Sequence, residues 1–567
     1  MMVLYFFLAV IAGYIIFSAY GKVAHDRKCR KNVQSQWGKK PAKECTPNDY
    51  ISIGSYFNNV KENSEKFYID DITWNDLDMN RVFSRINNTQ TDIGEEYLYK
   101  TLRELQYDKE ILRNRNDMIE YFRCNDTERE KIQILLSQLG KLRFLNLFEY
   151  ISGKRKGLGK SGLFYKILSA AFIVTPFAAA VYPPAVVLFF ISMALNISMY
   201  FKARDQIVGH LQALGYLVNM IGTAKRIARL PYGQIGSYTD KLKKCTNRIK
   251  GISLNTFFFM FYTTENYFFE IIKIFFLGEP IAYHSIFRLI EKYRGELKTI
   301  YETLGELESL IAVASYRDSL EYYTLPELDL CNTINCINND QNNNKKFHFT
   351  ELYHPLIDNP VANSFDTLKS VLITGSNASG KSTFLKSAAI NAIFAQTICT
   401  CLAKEYSSCF FNIYSSMALN DNLEAKESYY IVEIKSLKRI LQGINPDIPV
   451  LCVIDEVLRG TNTIERIAAS SEIVAYISQS NCICLCATHD IELAQILNDR
   501  VDNYHFQEFF DQEKIAFDYK IYPGQASTRN AIKLLKILGY DAEMVENAEN
   551  RAGEFTSKGQ WGRMGGN

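Results

Sequence analysis

The chain has 567 residues and nearly cancelling charge, 64 Lys and Arg against 62 Asp and Glu, so no overall basic field announces a nucleic-acid binder. That length leaves room for about three or four domains. Thirteen cysteines scattered without a disulfide-like framework point to a reducing compartment for most of the chain.

Met2 to Tyr20 carries no charge and is long enough to span a bilayer, which marks 1–21 as an N-terminal transmembrane anchor. No Lys or Arg precedes it, so the n-region of a cleaved signal is missing. Lys22, Arg27, Lys28, Arg30 and Lys31 follow, and the positive-inside rule puts the chain from Gly21 onward in the cytoplasm. Residues 22–76 read as a cytoplasmic linker, polar and turn-rich from 41 to 72. Across 77–160, Leu98, Leu102, Leu105, Ile111, Ile119 and Phe122 recur near a period of 3.6, the stripe of a helical region.

Residues 161–202 form a second apolar region. Gly162–Tyr182 and Ala185–Phe201 flank Pro183-Pro184, and no charge falls between Ile167 and Phe201. A transmembrane hairpin with a proline turn fits, the alternative being a buried core hairpin. Lys154, Arg155, Lys156, Lys160 and Lys166 precede it and Lys202 and Arg204 follow, so both ends are cytoplasmic. The segment 203–331 returns to helical patterning. Within it, Phe257–Leu277 is apolar and aromatic but carries Glu265, Glu270 and Lys273, which predicts an interfacial or core helix rather than a fourth span. The Asn-rich stretch 332–346 reads as a linker.

From 347 to 525 short apolar strands alternate with helices, which predicts a mostly parallel sheet with sites at the strand C-termini. Val371, Leu372 and Ile373 run into Gly375-Ser376-Asn377-Ala378-Ser379-Gly380-Lys381-Ser382-Thr383, and a helical stretch follows. Strand, glycine-bounded loop and helix in that order make a P-loop. Its backbone N–H groups would close on phosphate oxygens, Lys381 would reach the β- and γ-phosphates, and Ser382 would ligate Mg²⁺. Val450–Ile454 ends in Asp455-Glu456, as a Walker B strand requires: Asp455 for the Mg²⁺ shell and Glu456 to polarise the attacking water. His489, just past the strand Cys482–Ala487, is placed to contact the γ-phosphate or the water. Cys482, Cys484 and Cys486 fall on one face of that strand, which favours core packing over a metal site.

These motifs, in this order and spacing, resemble the MutS family. Leu352-Tyr353-His354-Pro355 and Pro360-Val361-Ala362-Asn363 look like its approach to the nucleotide loop. Asp455-Glu456-Val457-Leu458-Arg459-Gly460-Thr461-Asn462-Thr463 is similar to its D-E-x-x-R-G-T-x-T segment, and Ala487-Thr488-His489 to its A-T-H. Ser428-Tyr429-Tyr430-Ile431-Val432-Glu433 resembles its S-x-F-x-x-E. Val82–Gly94 is similar to the start of its core helices, and Ile521–Ala552 to its dimerisation end.

The resemblance implies an α/β P-loop NTPase domain of the ABC-type, MutS-like class, preceded by a helical lever domain, into which the apolar runs place the transmembrane helices. It implies ATP and Mg²⁺, a homodimer whose Ser428 completes the partner's nucleotide site, and DNA as a partner. A C-terminal dimerisation segment would occupy 526–567. Two departures stand out: no counterpart of the family's mismatch-reading domain precedes the core, and Pro360 stands near where an aromatic often stacks on adenine. The expectation is therefore a multi-pass protein of the cell membrane with three spans and a cytoplasmic ATPase. It would act on DNA or, alternatively, on a protein or lipid partner without DNA.

Overall fold

The structure is a computed structural model. It describes residues 20–561 apart from 22–23, 25, 43, 144–145, 155–161, 232, 250–266, 330–344, 377–378, 418–428, 460, 512–513, 526–531, 533–534, 536–538 and 560. Most of the expected N-terminal anchor (1–19), Asn377, Ala378 and Ser428 therefore lie outside the described residues. The chain divides into two compact units: Met1–Lys66, Phe83–Arg103 and Arg113–Leu320 form the first, and Phe67–Val82, Glu104–Leu112 and Glu321–Asn567 the second.

The first unit is helical. Its described elements include α1 (Pro47–Lys61), α2 (Asp92–Arg103), α3 (Gly162–Val181), α4 (Val186–Ile227), α5 (Tyr267–Phe275), α6 (Gly278–Lys292) and α7 (Arg294–Asp318). Helix α7 buries Leu297, Ile300, Leu304, Leu307 and Ile311, a stripe at helical spacing that packs on α2. Glu308 on the same helix accepts from the Thr91 N–H at 3.0 Å and from the Gln90 N–H and Thr91 hydroxyl. It thereby satisfies donors at the start of α2 that burial would leave orphaned. Burial pushes its carboxyl up to about 7, partly offset by those bonds.

Helices α3 and α4, joined through Pro183–Ala185, are long and apolar enough to cross a membrane by length and composition. Their apolar stretches are 6% and 17% buried, with Phe177 and Val181 turned outward. Helix α4 runs on to Ile227, well past the Phe201 at which the hairpin was expected to end. The reason is a continuing stripe of buried Ile207, Leu211, Leu214, Leu217, Ile221 and Ala224, with no proline to stop it.

The second unit holds two sheets. Strands β1 (Glu327–Asp329), β2 (Phe347–Leu352), β3 (Asn363–Thr367) and β5 (Glu405–Cys409) form one, in the order β1-β5-β2-β3. The other contains β4 (Val371–Thr374), β6 (Asn412–Ser416), β7 (Val450–Asp455), β8 (Cys482–Thr488), β9 (Asp502–Asp511) and β10 (Lys514–Pro523), in the order β10-β9-β4-β8-β7-β6. All its pairings are parallel except the β9–β10 hairpin. Three further helices matter for the site: α8 (Lys381–Thr397), α9 (Tyr429–Gly443) and α10 (Thr463–Gln479).

Cys452, Cys482, Cys484 and Cys486 pack with Val450, Ile454, Leu437, Ile440 and Val474 in one buried cluster beneath α9 and α10. Period-2 alternation then turns Leu451, Val453 and Asp455 to the opposite face, the side of α8. The unit also takes in two segments from the N-terminal third. Asp70 pairs with Arg439 at 2.5 Å, Asp76 accepts from Ser415 at 2.6 Å, and Tyr107 donates to Asn412 at 2.5 Å.

Candidate functional site

The cleft lies at the C-terminal ends of β4, β7 and β8, where parallel pairing aligns Thr374 with Thr488 and Asp455 with Ala487. The apolar strands end together, so the polar residues that follow each one meet in one place. The cleft measures about 360 Å³, and Ser376, Ser379–Thr383, Asp455, Glu456, Arg459 and His489 line its inner part.

After β4 the chain turns at Gly375 (φ +148°) and starts α8 from Gly380 (φ +109°), both in the region that favours glycine. A Cβ on Gly375 would meet the Phe506 carbonyl oxygen at 2.9 Å and Ser379 Oγ at 3.2 Å. On Gly380 it would meet the Tyr519 ring at 3.3 Å. Lys381 heads the helix and bends back into the loop, donating to the carbonyls of Gly375 at 2.8 Å and Ser376 at 2.6 Å. Burial drives its ammonium down to about 8 against the opposing pull of Asp455 and Glu456. An ammonium desolvated among backbone carbonyls, at a helix N-terminus, is what an anionic ligand of phosphate size would draw out.

Ser382 Oγ donates to Asp455 Oδ2 at 2.6 Å, so a hydroxyl and a carboxylate already face one point. Oxygen donors of this kind suit a hard divalent cation, and the glycine-shaped loop beside them leaves the space for the phosphate oxygens that would share it. The donor set fits Mg²⁺ with a nucleotide. Among the described residues no group of three or more His, Cys, Asp or Glu is arranged to hold a metal.

Glu456 sits in the left-handed region (φ 63°), as does Leu458 (φ 59°). Continuing the strand would send the Glu456 side chain toward the cysteine-lined core. The positive φ re-aims it into the cleft, local strain of the kind found at working sites. There Glu456 Oε1 meets His489 Nε2 at 3.0 Å, and Oε2 pairs with Arg459 Nε. Burial raises the Glu456 carboxyl, yet the His489 bond and the Arg459 charge outweigh it and hold the group below its ordinary value.

Of the residues singled out from the sequence, Lys381, Ser382, Asp455, Glu456 and His489 thus share one cleft. Arg459 was legible only as part of a motif; its pairing with Glu456 had no sequence signal. Neither did Arg466, which grips Asp490 with two bonds at 2.9 and 2.6 Å and so braces the turn carrying His489. Glu433 on α9 is buried and accepts from the Arg459 N–H at 3.2 Å, securing the loop behind Glu456. The outer wall comes from Asn359, Pro360, Val361 and Tyr519. Tyr519 reaches it from a register shift in the β9–β10 hairpin, at φ 56°.

Residues 371–556 match MutS domain V. A DNA mismatch repair protein MutS from Thermus thermophilus is 30% identical over 200 residues, 34% of this chain and 24% of that protein. The human MutS protein homolog 4 is 30% identical over 223 residues, 36% of this chain and 24% of its own length. A MutS from Methanosarcina acetivorans is 27% identical over 280 residues, covering 47% of this chain and 29% of that protein. These matches support membership of the MutS family. They span about a quarter of the length of the relatives.

Proposed function

We propose that the protein is a membrane-anchored, MutS-like ATPase that binds ATP with Mg²⁺ at Gly375–Thr383 and hydrolyses it. One observation carries the reading: Lys381 lies coiled inside a glycine-shaped loop while Ser382 is bonded to Asp455 at 2.6 Å. Ser382 and Asp455 would hold Mg²⁺, which would neutralise phosphate charge there.

The chain's own groups do the rest. Lys381 leaves the Gly375 and Ser376 carbonyls for the β- and γ-phosphate oxygens. The loop N–H groups and the N-terminus of α8 complete the cradle. Glu456, held ionised by its partners, orients the attacking water and accepts its proton, with His489 beside the γ-phosphate. Ser428 of a second copy would complete the site, which makes the working unit a homodimer, and hydrolysis would switch the helical levers between two arrangements.

The apolar hairpin α3–α4 anchors the protein in the cell membrane together with the N-terminal segment, leaving the ATPase on the cytoplasmic side. Its length and its outward-facing apolar residues support this reading. The relatives' names as DNA mismatch repair proteins favour DNA as the partner on which the switch acts. The same exposed hairpin, set in the helical unit, favours a second reading in which the levers work on a membrane protein or lipid without DNA.

Detergent-purified full-length protein titrated with a fluorescent ATP analogue should bind saturably and be competed by ATP; no binding at millimolar ATP removes the ATPase reading. Titration with homoduplex, mismatched and branched DNA at low and raised salt separates the partners. Salt-sensitive binding supports DNA, and its absence at low salt with and without ATP leaves the second reading.

A further inference from the structure

The segment around Phe257–Leu277, in which Glu265, Glu270 and Lys273 argue against a span, includes α5, and α5 is packed against the apolar hairpin. Phe275 stacks on Phe172 of α3 with ring centroids 5.7 Å apart, and Phe276 meets the same ring edge-on at 5.5 Å. Phe172 also stacks on Phe189 of α4 at 5.4 Å, so both arms and the end of α5 share one aromatic knot. Asn196, fully buried on α4, donates its amide to the Phe275 carbonyl at 2.8 Å. That carbonyl ends α5 and would otherwise be an orphan in apolar surroundings.

The depth of this knot can be read twice, independently. Lys166 is the last charge before the uncharged part of α3, and Phe172 lies about 9 Å beyond it at 1.5 Å per residue. Lys202 is the first charge after the uncharged part of α4, and Asn196 lies about 9 Å before it. Both arms therefore put the end of α5 at the same level, inside a leaflet whose apolar half is about 15 Å thick.

The chain then turns back. Leu277 adopts φ 52° and is buried against Tyr165, Tyr200 and Ala203, toward the charged ends of the hairpin. From there Gly278 starts α6, whose Glu279 pairs with Arg204 at 3.8 Å, just past Lys202. Lys273 and Glu270 neutralise each other at 2.7 Å on α5 and act electrostatically on Glu279. The charged groups on both limbs thus gather toward the hairpin's charged rim, and the turn goes deepest. Meanwhile Ile271 and Ile272 are exposed on α5, continuous in character with the outward-facing apolar residues of α3 and α4.

We propose that Tyr267–Glu279 is a re-entrant membrane wedge: α5 descends from the cytoplasmic face, turns at Phe275–Leu277 inside the leaflet, and α6 returns to the same side. Its partner is the acyl-chain region of the bilayer, met by Ile271, Ile272 and the Phe275-Phe276 apex. The charges that argue against a full crossing are those a re-entrant element keeps at the interface. The wedge rests on the membrane reading of α3–α4, and it leaves the side of the membrane on which the sheet unit lies unchanged.

Full-length protein reconstituted in phosphatidylcholine vesicles tests this, with Phe276→Trp as the probe, Ile272→Trp as an alternative at an exposed position, and Phe177→Trp reporting the hairpin. Emission added over the parent protein should be lost in vesicles of acyl-chain-brominated phosphatidylcholine and untouched by aqueous iodide, for all three. Loss at Phe177→Trp with iodide quenching at both α5 probes overturns the wedge alone. If Phe177→Trp itself is quenched by iodide and not by bromolipid, the membrane reading fails and the wedge with it. Asn196→Leu should shift the Phe276→Trp emission to the red by releasing the end of α5; an unchanged spectrum contradicts the role given to Asn196.

Discussion

His354, on the wall of the cleft, gives a prediction whose size follows from the structure. It is 8% exposed, and its Nδ1 accepts from the Leu356 N–H at 3.2 Å, so the folded protein holds the ring neutral. Burial, followed by the nearby Lys386 ammonium, drives its pKa down from 6.5 to about 4. In the unfolded chain the ring takes up its proton near 6.5, so between pH 6.5 and 4 the unfolded state binds more protons. Stability is therefore fully present above pH 6.5 and is lost as pH falls toward 4. At pH 4.5 the loss from this one residue is about 2 to 3 kcal/mol.

The control is His354→Asn, whose Oδ1 can keep the Leu356 bond but cannot titrate. Urea unfolding of both proteins in detergent, followed by the buried Trp74 of the sheet unit with Trp37 and Trp561 replaced by Phe, reads the difference at each pH. The stability gap between wild type and His354→Asn should move against the wild type by about 2 to 3 kcal/mol between pH 7 and 4.5. Parallel pH curves for the two proteins would refute the reasoning.

Three further perturbations address the cleft. Gly375→Ala places a Cβ 2.9 Å from the Phe506 carbonyl, so ATP-analogue affinity should fall about five- to hundred-fold, matching the roughly 1–3 kcal/mol of a strained backbone. Gly553→Ala, which meets nothing within 4 Å, should bind as wild type; equal binding by both would count against the loop geometry. Glu456→Gln should keep nucleotide binding while turnover drops by about 10²- to 10⁴-fold, and undiminished turnover would remove Glu456 from catalysis. Ser428→Ala and Lys381→Ala should each be inactive alone yet recover activity when mixed, because a mixed dimer regains one intact site. No recovery from a mixture that forms dimers would contradict a composite site.

What the sequence made legible was what is local. The loop Gly375–Thr383 declares itself because the strand, the turn and the helix N-terminus are contiguous, and Asp455 is marked by the apolar run it ends. Arg459 is only three residues from Glu456, yet its pairing depends on the positive φ of Glu456 and Leu458, which no residue type announces. Tyr519, Glu433 and Arg466 reach the site or its supports through tertiary packing across long stretches of chain, and spacing says nothing about that. Asp70, Asp76 and Tyr107 tie their segments into the sheet unit through polar bonds to Arg439, to Ser415 and Met417, and to Asn412, a pattern invisible to periodicity. In the helical unit the apolar run announced the hairpin, but the length of α4 was set by a buried stripe beyond Phe201 where charges interrupt the run.

On the proposed reading Lys381, folded onto the loop carbonyls, is the group that engages the phosphates of ATP. Steady-state ATP hydrolysis with Mg²⁺ by the purified full-length protein and by Lys381→Ala measures it most directly. Turnover by the wild type should disappear when Mg²⁺ is chelated, and a folded Lys381→Ala protein should show none. Turnover by Lys381→Ala equal to that of the wild type would contradict it.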